Sequence, residues 1–410
     1  MTYILIILSL FPVWLITGPF FPDLFLSIFV LGFLYICFRD RNFDYFKFRT
    51  FYIFLAFCFV GVLSSLFADD ILLSFESSLF YFRFGVFACL VWYVIEQDKK
   101  LLNYFYYILV ICFTCLVIDG YLQFFTGLNI IGLPASGVRI SSFFGDELIM
   151  GSYLSRLFPL LFALFIIKEK KWFEIYLIGL LFILTDVLIY VSGERTSFFY
   201  LNLSTLFIIL LIKKYQIFRL ITFFCAFLII IVLTLSSHNL KNRMIISTFN
   251  SMGIAKEGQD KNIFTPKHDS HIKTAFNMFL DKPILGHGPK MFRVKCSDPQ
   301  YAVGISPCAT HPHNFYIQLL AETGIIGFLF LLSVFGYVVY CAFRQLQSIV
   351  LKKKRYLTDY QVCLLAGILI SVWPFSPNGN FFNNWLAIIY SLPIGFYLHS
   401  VFGSNRKKLV

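Results

Sequence analysis

The stretch Lys213-Lys-Tyr-Gln-Ile-Phe-Arg-Leu-Ile-Thr-Phe-Phe-Cys-Ala-Phe-Leu-Ile-Ile-Ile-Val-Leu-Thr-Leu-Ser-Ser-His238 decides the fold class. It opens on a basic cluster, runs through an apolar block at 217–236 and breaks into polar sequence. A block of about 20 apolar residues is the length at which a helix crosses the hydrocarbon of a bilayer. Basic residues stay on the cytoplasmic side, so the block also has a direction.

Working outward, comparable blocks lie at 3–18, 22–38, 50–67, 72–95, 102–125, 149–167, 172–191, 196–212, 315–343, 357–375 and 381–402. The sequence thus reads as an all-α polytopic membrane bundle of about 12 spans. Pro12, Gly18 and Pro19 interrupt the first pair, which reads equally as one bent hairpin. Residues 1–17 have no basic leader and no small-residue cleavage site, so they read as a retained span rather than a signal peptide. Composition agrees: 59% of the 410 residues are hydrophobic and 14% charged, against roughly a quarter charged in soluble domains. The net charge of +12 lies in short clusters between apolar blocks, which excludes a nucleic-acid patch.

Those clusters set the orientation. Alternate connections hold Arg39, Arg41, Lys47 and Arg49; Lys99 and Lys100; Lys168, Lys170 and Lys171; Lys213, Lys214 and Arg219; Arg344, Lys352, Lys353, Lys354 and Arg355; and Arg406, Lys407 and Lys408. That is 20 of the 34 basic residues. The opposite connections carry Asp23, the pair Asp69 and Asp70, residues 126–148, the turn at 192–195, residues 237–313 and the uncharged 376–380. Both termini are therefore expected in the cytoplasm. The chain divides into spans one to nine (1–236), an exported loop (237–313) expected to contain short helices, and spans ten to twelve with a cytoplasmic tail (314–410).

The exported loop is too long for a simple connection and holds six of the seven histidines; His399 is the exception. Cys112 and Cys115 form a CxxC inside a span and read as small packing residues. Cys296 and Cys308 share the exported loop with eleven residues between them. Thiols there meet an oxidising compartment, and a bridge constrains the unfolded loop by roughly 3 kcal/mol. Metal ligation with His311 and His313 is the rival reading, but no four-ligand spacing appears; the disulfide is favoured, with no metal and no cofactor.

The loop ends in Ala309-Thr-His-Pro-His-Asn-Phe-Tyr-Ile-Gln-Leu-Leu-Ala-Glu-Thr-Gly-Ile-Ile-Gly327. Pro312 forces extended backbone before it. His313 and Asn314 then stand where an amphipathic stretch begins, and Gly324 and Gly327 permit close packing or a break. A histidine fixed at the membrane rim beside an amide is placed to accept a proton near neutral pH. Taken alone, such a residue is more often an interfacial anchor.

Two motifs change that balance. His313, Asn314, nine residues, Gly324, two residues, Gly327 resembles the H[NSQ]x9GxxG signature of the bacterial O-antigen ligase and polymerase superfamily. Upstream, Pro283-Ile-Leu-Gly-His-Gly-Pro-Lys-Met-Phe292 is similar to that family's PxxGxGxxxF segment. The resemblance implies a multi-pass enzyme of the bacterial inner membrane, working in cell-envelope lipopolysaccharide synthesis. Its donor would be a glycan on undecaprenyl diphosphate. The acceptor would be lipid A–core for a ligase, or a growing glycan for a polymerase.

The same resemblance implies His313 as base and exported arginines as cations for the donor diphosphate. Arg195 in Ser192-Gly-Glu-Arg-Thr-Ser197 and Arg139 in Val138-Arg-Ile-Ser-Ser-Phe-Phe-Gly-Asp-Glu147 match the family's positions. Where the family carries a third arginine, about fifteen residues before the PxxGxG segment, this chain has His268. The role therefore stays open among Lys267, His268, His271, Lys290 and Arg293. Arg83 and Arg156 fall inside spans, where a charge is usually paired or functional; Asp119 and Asp186 are the candidate partners.

No Asp-x-Asp triplet occurs, which suits a metal-independent transfer from a lipid diphosphate. Ligation is favoured because the histidine motif is intact and one long loop dominates. Repeat-unit polymerisation is the alternative within the superfamily. A lipid-linked oligosaccharide flippase predicts charges along a central cavity and gives His313 no role. A non-catalytic scaffold leaves six exported histidines unexplained.

Overall fold

A backbone in lipid has no solvent to satisfy its N–H and C=O groups, so each apolar block must bond within itself. The computed structural model describes residues 2–137, 139–252 and 264–403. The basic cluster Arg406, Lys407 and Lys408, with the tail assigned to the cytoplasm, lies outside the described residues, as do 253–263 of the exported loop.

In chain order the helices are α1 (Thr2–Ser9), α2 (Phe11–Trp14), α3 (Phe20–Arg39), α4 (Arg49–Ser65), α5 (Ile71–Ser78), α6 (Phe82–Gln97), α7 (Lys100–Thr126), α8 (Met150–Ile166), α9 (Trp172–Val191), α10 (Arg195–Leu211) and α11 (Gln216–Ser236). The long polar loop follows with α12 (His238–Lys241), a π-helical turn at Asn242–Ile246, α13 (Ser247–Ser251), α14 (Pro266–Asp281) and α15 (Phe292–Lys295). The chain then returns through α16 (Phe315–Val350), α17 (Asp359–Ser371) and α18 (Asn384–Phe402). Helix covers each expected apolar block, the first and the fourth in two pieces. Among the described residues seven segments are long and apolar enough to cross a membrane, and α4, α8, α10 and α17 are shorter apolar helices beside them. The chain is a polytopic helical bundle of the multi-pass membrane class. Its outer surface carries bare apolar side chains such as Leu31, Phe59, Phe125 and Leu235, as a lipid-facing surface requires.

Two spans depart from their apolar blocks. The first is broken into α1 and α2, with Pro12 in the opening turn of the second piece. The fourth is split between α5 and α6, where serines replace lipid-facing contacts. Ser74 donates to Ser65 at 2.8 Å, and the Ser65 and Ser78 hydroxyls lie 2.8 Å apart. That ladder draws α5 against α4.

The intramembrane charges are paired differently from the sequence expectation. Arg219, counted there in a cytoplasmic cluster, is fully buried in α11 and forks onto Asp186 of α9 at 2.7 and 3.1 Å, with Thr205 of α10 at 2.7 Å. A planar guanidinium satisfies both carboxylate oxygens at once, so this pair ties three helices together. Arg83 of α6 pairs with Asp23 of α3 at 2.7 Å. Asp119 is not an arginine partner either: it accepts from the Ile130 amide at 2.8 Å and from the Ser142 hydroxyl, pinning the 126–148 connection to α7. Arg156 receives neither aspartate.

The long loop has its own small core of Ala275, Met278, Phe292, Cys296 and Tyr301 against Ala321 of α16. Cys296 is bonded to Cys308, with Cα atoms 5.0 Å apart. The loop is thus a folded cap seated on the outer end of α16.

Candidate active site

The site begins at the head of α16. Asn314 is the N-cap: its Oδ1 accepts from the Tyr316 and Ile317 amides at 3.0 and 3.2 Å, taking up donors that a helix start leaves free. Its Nδ2 donates to the Pro374 carbonyl at 2.8 Å. His313, just before the cap, holds a left-handed backbone with φ of 57°, unusual for a residue with a Cβ. Its carbonyl accepts from the Asn378 amide at 2.8 Å. Gln318, one turn on, donates to Asn380 at 2.7 Å and accepts from the Phe381 amide at 2.9 Å. The connection between α17 and α18, read in the sequence only as an uncharged loop, therefore grips the histidine–asparagine pair.

The paired glycine motifs form one clasp. At Gly324 the backbone turns to φ 66°, ψ −164° inside α16, a region open essentially to glycine alone. The turn frees helix carbonyls, and the Pro283 segment takes them: the His287 amide donates to Ala321 at 2.9 Å and the Gly288 amide to Glu322 at 2.8 Å. In return the Ile325 amide donates to Pro283 at 2.9 Å. The approach is so close that a Cβ on Gly324 would lie 2.1 Å from the Ile284 carbonyl oxygen. His287 is a fully buried part of this clasp, its Nε2 2.9 Å from the Met278 carbonyl.

Four imidazoles of the long loop gather over the head of α16. Pro266 opens α14 and Thr265 caps it, accepting from the His268 amide at 3.3 Å. His268 and His271 then stand one turn apart on the face toward His313. Ring centroids of His268, His271 and His311 lie 4.9, 5.4 and 4.1 Å from that of His313. Among the described residues no group of three or more His, Cys, Asp or Glu is arranged to hold a metal. Burial, then the charges of His311, His268 and His271, push His313 down to about 3. Burial first and neighbouring cations second hold His268 and His311 at about 4, and His271 is also lowered. All four are neutral at pH 7, so each has a lone pair to offer.

The cations lie next to this cluster. Arg195 opens α10 and donates to Thr248 at 3.2 Å; it is also near enough to His268 to oppose its protonation. Arg139, Arg195 and Arg243 act on one another's charge. Arg243, on the π-helical turn, donates to the Gly193 carbonyl at 3.3 Å. Behind them sits Glu194, which accepts from the Gly151 and Ser152 amides at 2.7 and 3.1 Å and from Ser197 at 2.9 Å. Burial pushes its carboxyl up to about 7 against those hydrogen bonds and the charge of Arg139. One carboxyl stands beside three guanidinium groups, so the cluster carries surplus positive charge.

Residues 178–332 match the O-antigen ligase family model. The clasp and the capped histidine both lie inside the matched stretch. The matched stretch includes Arg195, Arg243, the four clustered histidines and both glycine motifs. A search of curated proteins finds no match.

Other sequence candidates fall elsewhere. Lys290 pairs with Glu76 at 2.8 Å and Lys295 with Asp69 at 2.6 Å, so both fasten the loop to the α4–α5 corner. Lys267 is exposed. Arg293 faces His311 and the buried Glu322 from the other side of the cluster. Arg243 was missed by sequence reasoning. Its signal was available: like Arg195, it is a basic residue on the exported side of a span, against the positive-inside trend.

Proposed function

We propose that the chain is a glycosyltransferase that moves a glycan from undecaprenyl diphosphate to an acceptor hydroxyl on the periplasmic face, with ligation to lipid A–core as the favoured reaction. Membership of the O-antigen ligase superfamily gives the coarser class, a membrane enzyme of O-antigen processing. The observation that carries the finer reading is the single strip of neutral imidazoles running from His313 to three guanidinium groups.

In this reading the acceptor oxygen attacks the anomeric carbon and the carbon–oxygen bond to the diphosphate breaks. The diphosphate leaves with the electron pair, and His313 takes the acceptor's proton. Arg139, Arg195 and Arg243 hold the diphosphate oxygens as charge builds on them. No cofactor is needed, because the donor already stores the energy. The test supplies purified protein with a lipid-diphosphate glycan and lipid A–core. One transferred chain per acceptor is expected; a growing ladder on the donor lipid indicates polymerisation, and transfer to neither overturns the proposal.

Three further results are expected. Arg195→Ala and Arg139→Ala should each lower turnover about 10²–10³-fold, the usual effect of removing one donor to a developing oxyanion. Arg195→Lys should recover only part of this, since an ammonium lacks the planar fork. Full turnover in both alanine variants removes the diphosphate assignment.

Orientation is checked by labelling with a membrane-impermeant thiol reagent in cells whose outer membrane is permeabilised. Gln300→Cys, exposed in the cap, should react, and Lys353→Cys, exposed beyond α16, should not. The reverse pattern inverts the topology.

The pH dependence has a defined sign. In the free enzyme His313 stays neutral down to about 3, so kcat/KM should not fall as pH drops from 7 to 5. A bound diphosphate places negative charge beside the imidazole and raises its proton affinity. The acid limb of kcat, which reports the complex, should then lie at higher pH than that of kcat/KM. Coincident limbs contradict the shared strip of base and cations.

A further inference from the structure

Arg156 is a charge without a counter-ion. It lies in the second turn of α8, 4% exposed, and about 9 Å along the helix from its Glu194-capped start. Its guanidinium is sandwiched between the rings of Tyr200 and Tyr390, 4.7 and 5.0 Å from their centroids. Nε donates to Ser152 at 3.1 Å, and Nη1 is buried with no hydrogen-bond partner. A guanidinium inside a span is normally paired with a carboxylate or turned toward a ligand path. In this bundle Arg83 and Arg219 have aspartates, and Arg156 has none.

Two more buried polar groups stand around it. Asn378, 5% exposed, donates its backbone N–H to the His313 carbonyl and accepts from the Tyr200 hydroxyl at Oδ1, and its Nδ2 is without a partner among the described residues. The Tyr390 hydroxyl faces the Arg156 guanidinium and has no other partner among the described residues. Arg156 is thus linked through the Tyr200 ring to Asn378, and through Asn378 to the backbone of His313, with Tyr390 on its other face. Leaving buried donors unmade is costly. What would satisfy all three is a group that accepts hydrogen bonds and is negatively charged.

We propose that Arg156, Asn378 and Tyr390 form a second anion-binding position, beneath His313, for a phosphate oxygen of a membrane lipid. The first position is the Arg139, Arg195 and Arg243 cluster, so this inference extends the proposed function without depending on which glycan is moved.

The test counts bound ligand instead of turnover. Full-length protein in uncharged maltoside micelles is titrated with radiolabelled geranylgeranyl diphosphate. Two equivalents per chain are expected. Arg156→Met should retain one, Arg156→Lys should bind the second more weakly, and Tyr390→Phe should weaken it roughly tenfold for one lost hydrogen bond. The double variant Arg139→Ala with Arg195→Ala should keep only the Arg156 equivalent; two equivalents retained there would count against the donor assignment alone. Competition by added phosphatidylglycerol for the second equivalent assigns it to a headgroup phosphate, and lack of competition assigns it to a lipid diphosphate. One equivalent in the wild type, unaltered by Arg156→Lys and Tyr390→Phe, overturns the proposal and leaves water as the partner of Arg156.

Discussion

His313→Ala should lower transfer by roughly 10²–10⁴-fold, the range of a general-base contribution, while donor binding survives. The separation follows from geometry: the diphosphate cations stand on α10, the 126–148 connection and the π-helical turn, and His313 stands on the cap of α16. A binding assay with the lipid-diphosphate donor, run beside a single-turnover assay, resolves the two effects. His311 is the demanding control, because its ring lies only 4.1 Å from that of His313. If it is a neighbour and not a base, His311→Ala should keep most of the activity. It should also move the acid limb to higher pH, because burial and then the His311 charge hold the His313 imidazole down. Equal losses at the two positions, or an active His313→Ala protein, return His313 to the role of an interfacial anchor.

The spans were legible because hydropathy reports on lipid contact, and most of this chain is judged by lipid. The break of the fourth span was not, because serines such as Ser65, Ser74 and Ser78 are compatible with a continuous helix and only their mutual hydrogen bonds reveal the corner. Partners of buried charges were illegible for a similar reason. Asp186 had several arginines within reach by sequence, and only the packing of α9 on α11 selects Arg219. Within the site, the resemblance located His313, Asn314, Gly324, Gly327, Arg139 and Arg195 as residues. It did not reveal that the Pro283 segment and the Gly324 turn are one object, since their union is made of backbone hydrogen bonds that carry no side-chain signal. The gathering of His268, His271 and His311 around His313 depends on how α14 seats against α16, 42 residues or more along the chain from His271 to His313. Arg243 was visible in principle as a basic residue of the long loop, but it lies in no motif of the kind that marked Arg139 and Arg195.

Gly324→Ala should be as damaging as loss of the histidine, by a different route. Holding an alanine at φ 66°, ψ −164° costs about 1–3 kcal/mol in backbone strain alone. The new methyl would also sit 2.1 Å from the Ile284 carbonyl oxygen and 2.7 Å from the Leu285 amide nitrogen. Backbone atoms cannot rotate away as a side-chain tip can, so either α16 straightens or the Pro283 segment lifts off. Both outcomes break the bonds from His287 and Gly288 to the helix carbonyls and free the cap that presents His268 and His271 to His313. Transfer should fall to background, and the amides of His287 and Gly288 should lose protection from hydrogen exchange. The same helix supplies graded controls. Gly327→Ala meets the Thr323 hydroxyl at 1.9 Å, a side-chain atom already bonded to the Leu319 carbonyl, and should be intermediate. Gly336→Ala meets nothing within 4 Å and should be neutral or stabilising by up to about 1 kcal/mol, as expected for glycine replaced in a helix interior. If Gly324→Ala exchanged and turned over like Gly336→Ala, the clasp would be packing alone and the motif's second half would need another explanation.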